Sequence, residues 1–285
     1  MITKKKHLTI LIASLFLLLN ISTIQAQTYS TLPQKNIDTQ NIEKQVNNNL
    51  ETFDTIKISF NNFSNSFKTL NALILNPLEN IYGNKHCQKI INKLIEKGYT
   101  TEYLSNEAVD LTFIKNNLTA EIVYLNTHAG YFDLDNDNIP ETVVISTGEQ
   151  WTDETPVKYQ FEYVNQMIVE GRVGNKSFIA FTPALINYYY NDGDFPDTLV
   201  YMATCYATYD DSMAQVFLNK GASAYMGWNQ NTVFWTNSMT SVIAFSFFVK
   251  GFTVKQVCNI IKSGGLINFF FHSKLTYFGN GDHRI

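Results

Sequence analysis

Leu199-Val200-Tyr201-Met202-Ala203-Thr204-Cys205-Tyr206-Ala207 is the stretch whose reading decides the fold. It is an apolar run of strand-forming residues that ends on a cysteine and passes into Asp210-Asp211-Ser212, a helix-start signal. A run with no polar alternation suits a strand covered on both faces, as strands are in parallel α/β sheets. A thiol at the carboxyl end of such a strand sits where α/β proteins keep their chemistry.

The flanking sequence repeats the alternation of strand and helix. Upstream, Ala72 to Leu75 reads as a short buried strand closed by Asn76-Pro77, and Ile81 to Lys97 as a helix with Ile90, Ile91, Leu94 and Ile95 at helical spacing, stopped by Gly98. Tyr99 to Leu104 predicts a second strand, Val109 to Leu118 a short helix, and Glu121 to Thr127 a third strand that delivers His128. An excursion follows, with Thr142 to Ser146 as a hairpin arm, a polar stretch from Gly148 to Lys158, and an end near Ser177 to Phe181. Beyond Cys205 come a helix from about Asp210 to Asn219, a small-residue strand from Gly221 to Gly227, helices at about Thr236 to Lys250 and Val254 to Lys262, and a last strand or hairpin from Asn268 to Phe278. The expected fold class is therefore α/β, a mostly parallel sheet with helices on both faces in a three-layer αβα arrangement. Right-handed crossovers put the strand ends carrying His128 and Cys205 on one edge.

Bulk properties narrow the function classes. The chain has 285 residues, 45% hydrophobic and 14% aromatic, enough for a full core. Lys4-Lys5-Lys6, the apolar Leu8 to Leu19 and the small Ala26 have the layout of a secretory signal over residues 1–26. An uncleaved anchor is the competing reading, although the apolar core is short against the roughly 20 residues of a span. Cleavage would remove three lysines and no acids, moving the formal charge from −4 to −7 and arguing against nucleic acid or anionic membrane surfaces as partners. Residues 27–56, rich in Gln, Asn and Thr, read as a flexible linker or pro-segment, and 57–285 as the folded domain. No stable membrane span is expected after signal removal, and the expected location is secreted or cell-surface.

Three cysteines, Cys87, Cys205 and Cys258, leave at least one thiol unpaired. The economical reading is a free Cys205, with Cys87 and Cys258 either buried as small hydrophobes or joined in a disulfide. Nucleophilic cysteine catalysis needs a thiolate, an imidazole to share its proton, and backbone donors for an oxyanion. His128 is the partner favoured by topology; His86, His272 and His283 are weaker candidates. Trp151, Trp228, Trp235 and Tyr188-Tyr189-Tyr190 suit either a substrate cleft or core packing, and Asp210 and Asp211 either basic substrates or a helix start.

Tyr124-Leu125-Asn126-Thr127-His128-Ala129-Gly130 and Val200-Tyr201-Met202-Ala203-Thr204-Cys205 together resemble the paired His and Cys motifs of the caspase-like (clan CD) cysteine peptidases, the group of caspases, legumain, clostripain and the gingipains. Phe217 to Trp228, Gly251 to Gln256 and Leu275 to Asn280 are similar to the later elements of gingipain-like members, so the resemblance spans roughly residues 71–285. It implies a cysteine endopeptidase acting on peptide or protein substrates. Cys205 would be the nucleophile, His128 the proton donor to the leaving amine, and the amides of Ala129 and Cys205 the oxyanion hole. The chain departs from the family pattern at two positions: Ala129 precedes Gly130 where glycine directly follows the histidine, and Thr204 replaces the alanine before the cysteine.

Asp133-Leu134-Asp135-Asn136-Asp137-Asn138-Ile139-Pro140-Glu141 forms a second constellation. Side chains of Asp133, Asp135 and Asp137, the Ile139 carbonyl and Glu141 have the alternation that calcium requires of a tight loop. An acidic surface turn is the competing reading. Calcium held five residues after His128 would be structural or activating. A catalytically inactive, calcium-binding interaction domain on the same fold is the alternative to the peptidase.

Overall fold

The computed structural model describes residues 70–133, 142–263 and 273–285, which belong to a unit spanning Lys68–Ile285. The signal, the linker, most of the acidic loop and residues 268–272 of the last expected strand lie outside the described residues.

Along the chain, β1 (Asn71–Asn76) is followed by α1 (Glu79–Tyr82), α2 (Lys85–Lys97) and β2 (Thr100–Ser105). A 3-10 turn at Asn106–Ala108 and α3 (Leu111–Asn116) precede β3 (Ile122–Asn126). Next come β4 (Ala129–Phe132), β5 (Thr142–Gln150), α4 (Thr155–Lys158), α5 (Gln160–Val164), β6 (Ile168–Val173), β7 (Lys176–Phe181) and α6 (Pro183–Tyr189). The chain closes with β8 (Leu199–Ala203), α7 (Ser212–Asn219), β9 (Ala224–Trp228), α8 (Phe234–Phe248), α9 (Val254–Ser263) and β10 (Leu275–Gly279).

Six strands form the central sheet in the order β2-β1-β3-β8-β9-β10. The first five are parallel; β10 pairs antiparallel with β9 at the edge. Strand residues alternate between two cores, which is why the strands read as continuous apolar runs. Leu73, Leu75, Val123, Leu125, Val200 and Met202 face one core, shared with α3, α6, α7 and the excursion. Ala72, Ile74, Ile122, Tyr124, Tyr201 and Ala203 face the other, shared with α2, α8 and α9. The fold is thus mixed α/β, with a mostly parallel sheet covered on both sides.

One expectation is corrected and one extended. The helix foreseen from Ile81 to Lys97 is broken at Gly83, whose φ of +72° lies in the region that glycine enters most easily. Thr142 to Ser146 is the hairpin arm expected, antiparallel to β4, but the excursion extends it into a second sheet, four antiparallel strands in the order β4-β5-β7-β6. Its Val143, Ile145, Ile179 and Phe181 are buried in the first core, so the excursion supplies part of the covering layer.

Cys87 and Cys258 are separate buried thiols in the second core, which resolves their open pairing in favour of small hydrophobes. No helix among the described residues is long and apolar enough to cross a membrane.

Candidate active site

Parallel pairing of β3 with β8 sets Asn126 opposite Ala203. His128 and Cys205 each follow two residues later, at the carboxyl edge of adjacent strands. The topological expectation is met: one sheet edge carries both groups.

The sulfur is held by the loop after β9. The thiol donates towards Asn231 Oδ1 at 3.2 Å and the Thr232 carbonyl at 3.3 Å, and Sγ accepts the Thr232 N–H at 3.2 Å. Burial pushes the Cys205 thiol above its ordinary range, with the Thr232 amide pulling the other way. Burial also lowers His128 below its usual value. Both shifts favour a neutral thiol beside a neutral imidazole. Among the described residues, no side-chain hydrogen bond of the His128 imidazole is found, and none joins it to Cys205.

The turn after Cys205 folds back over β9. Tyr206 N–H donates to the Gln230 carbonyl, Thr208 N–H to the Trp228 carbonyl, and Thr208 Oγ1 to the Gly227 carbonyl. A Cβ at Gly227 would lie 2.5 Å from Ala207 Cβ and 2.8 Å from the Met202 carbonyl, so this close approach needs glycine. Tyr206 itself has φ of +55°, a left-handed conformation costing a bulky residue on the order of 1 kcal/mol. Its ring packs at 5.2 Å from Tyr131 of β4, and Tyr209 stacks on Tyr131 at 5.5 Å. These contacts tie the cysteine turn to the strand that begins right after His128.

The candidate oxyanion donors can be placed in part. Ala129 stands opposite Ile145 in the β4–β5 ladder, and the Ser146 N–H donates to the His128 carbonyl at 2.9 Å. That pattern marks Ala129 as a non-hydrogen-bonded position, its own N–H directed away from β5 towards the open edge of the sheet. Ala129 is not among the residues with positive φ, so alanine is unstrained where the family pattern has glycine. The other departure does carry a cost: Thr204 Oγ1 is buried without a hydrogen-bond partner among the described residues.

Helix α7 begins at Ser212, seven residues past the cysteine, so its N-terminus does not adjoin the thiol. Asp210 accepts from the Ser212 N–H and hydroxyl at 2.8 and 2.6 Å, the local helix-start role, while Asp211 has no side-chain cap bond. Trp228 is core, 1% exposed with its indole N–H on Asn237 Oδ1; Trp235 is 63% exposed.

Sequence reading missed the polar floor beneath this edge. Asn126 Nδ2 donates to Asn76 Oδ1 at 2.8 Å, and Asn237 Nδ2 donates to both the Ala203 carbonyl at 2.7 Å and Asn126 Oδ1 at 3.1 Å. The ends of β1, β3, β8 and β9 are thereby cross-linked through three buried amides. Asn76 and Asn126 closing apolar strands were the only signal, and an Asn-rich chain hides it.

Of the proposed calcium ligands, only Asp133 is described; Asp135, Asp137, Ile139 and Glu141 lie outside the described residues. Among the described residues, no group of three or more His, Cys, Asp or Glu side chains is placed to hold a metal. No family model matches this chain, and no curated protein matches it.

Proposed function

We propose that this protein is an exported, caspase-like cysteine endopeptidase with Cys205 as nucleophile and His128 as its proton carrier. The observation that carries this reading is the register: adjacent parallel strands end on Asn126 and Ala203, and each then presents its candidate residue at the same step. Sγ attacks the scissile carbonyl carbon as its proton passes to His128, and the amides of Ala129 and Cys205 face the developing oxyanion. Collapse breaks the C–N bond, with His128 returning the proton to the leaving amine. Water then attacks the thioester, yielding the acid and restoring the thiol. Because both groups rest neutral, proton transfer from sulfur to imidazole accompanies attack instead of preceding it.

Calcium bound through Asp133, Asp135, Asp137, the Ile139 carbonyl and Glu141 belongs to the same proposal and rests on the sequence pattern. Its expected role is to order the segment that follows His128.

One observation favours the second reading, a catalytically inactive interaction domain: the hydrogen-bond partners of Sγ belong to Asn231 and Thr232, not to His128. Hydrolysis of a mixed peptide library with calcium and with chelator, beside Cys205→Ala and His128→Ala, separates the two. Cleavage lost by at least 10³-fold in both variants is the expected result. No cleavage by the unaltered protein in any condition selects the interaction domain.

A further inference from the structure

A groove of about 600 Å3 runs between α2 and the first half of α8; neither Cys205 nor His128 lines it, but its Tyr82 lies within electrostatic reach of the Cys205 sulfur. Phe234 lines it, two residues after Thr232, whose N–H and carbonyl hold Sγ. Tyr82 stacks on Phe234 with ring centroids 4.7 Å apart and planes at 14°, an aromatic pair at one end of the lining. Trp235 and Met239, 63% and 43% exposed, extend the apolar lining along α8. Large apolar groups are seldom left in water at this density unless something covers them.

The polar part of the lining has one sign. Lys85 and Lys89, a helical turn apart on α2, are both exposed at the groove, and no carboxylate lines it. Neither lysine pairs with an acid among the described residues. In a chain of formal charge −4, an apolar groove carrying only cations is a local reversal that favours an anionic occupant.

We infer that this groove selects peptide substrates bearing a large apolar side chain next to an acidic one, the apolar group lying along Phe234, Trp235 and Met239 and the carboxylate meeting Lys85 and Lys89. The inference rests on the peptidase reading above, and its test has an arm that does not need turnover.

Fluorescein-labelled hexapeptides containing Phe-Glu, Phe-Lys or Ser-Glu are titrated into the Cys205→Ala protein and offered as substrates to the unaltered one. Phe-Glu is expected to bind and to be cleaved best. Trp235→Ala should weaken it about thirtyfold, as loss of an aromatic anchor does. Lys85→Glu with Lys89→Glu should weaken it about tenfold while improving Phe-Lys, a change of preference that misfolding would not produce. Cleavage or binding indifferent to these pairs, or to the lysine reversal, overturns the inference and leaves the peptidase reading standing. Selective binding by Cys205→Ala with no cleavage of any peptide by the unaltered protein overturns the peptidase reading, with the groove's preference for apolar-acidic peptides retained. Binding of oleate with none of the three peptides overturns the peptide assignment.

Discussion

Two cysteine–histidine pairs among the described residues differ in the property usually taken as decisive. On α2, His86 Nε2 lies 3.3 Å from Cys87 Sγ, within hydrogen-bonding reach, yet both residues are buried, at 7% and 0% exposure. Burial pulls His86 down to about 4, with a hydrogen bond to Asn126 pulling the other way, and pushes Cys87 up to about 12. At the sheet edge, His128 and Cys205 share no hydrogen bond among the described residues, but both are partly open and stand at the carboxyl ends of neighbouring strands. Contact at this depth of burial leaves two neutral groups. Access at a sheet edge leaves groups that a bound substrate can bring into use.

Alkylation is the sharpest way to break that comparison. With iodoacetamide at pH 8, Cys205 is expected to react at least about a hundredfold faster than Cys87 or Cys258, which need local unfolding to be reached. Because burial holds the Cys205 thiol above its ordinary value, its thiolate fraction should still be climbing with pH from pH 7 to 9. Mass-spectrometric labelling rates at each site test both statements. A rate already flat near neutrality would mean a thiolate–imidazolium pair, and equal slow labelling of all three cysteines would erase the distinction between the two sites.

The buried pair has its own signature in stability. Above pH 6.5, His86 is neutral in both folded and unfolded chains. Below it, the unfolded histidine takes up a proton that the folded one refuses until about pH 4. Stability from this group is therefore complete above 6.5 and falls as pH drops towards 4, by about 3 kcal/mol. Urea unfolding at pH 7 and pH 4 should show the unaltered protein losing roughly that much more than His86→Gln. His128 shifts in the same direction and is present in both proteins, so it cancels from the difference.

The elements that the sequence made legible are those with a single periodicity. β1, β3, β8 and β9 are nearly unbroken apolar runs because each alternates between two buried cores, and that pattern alone sets His128 and Cys205 at neighbouring strand ends. The second sheet was obscured because β6 carries Glu170, Gly171 and Arg172 in its interior, on a strand with one partner. The groove was hidden by α8, apolar around most of its circumference, so that Phe234 and Trp235 looked no different from the buried Phe245 and Phe248. The Asn76–Asn126–Asn237 floor depends on residues 50 and 111 positions apart, a pairing that no local pattern encodes.

The smallest effect concerns what the chain gives up beside Cys205. Cys87 sits inside the second core; beside Cys205, Thr204 buries a hydroxyl with no partner among the described residues, and Tyr206 adopts a left-handed backbone. Replacing that hydroxyl with a methyl of the same shape, Thr204→Val, removes an unmet hydrogen bond and creates no cavity. The variant is expected to gain about 1 kcal/mol, a rise of roughly 2–4 °C in thermal midpoint. Its Cys205 alkylation rate should stay unchanged, since Asn231 and Thr232 still hold the sulfur. A loss of stability in calorimetry would mean that the hydroxyl has a partner in solution, and the sheet edge would then be as well satisfied as the buried pair.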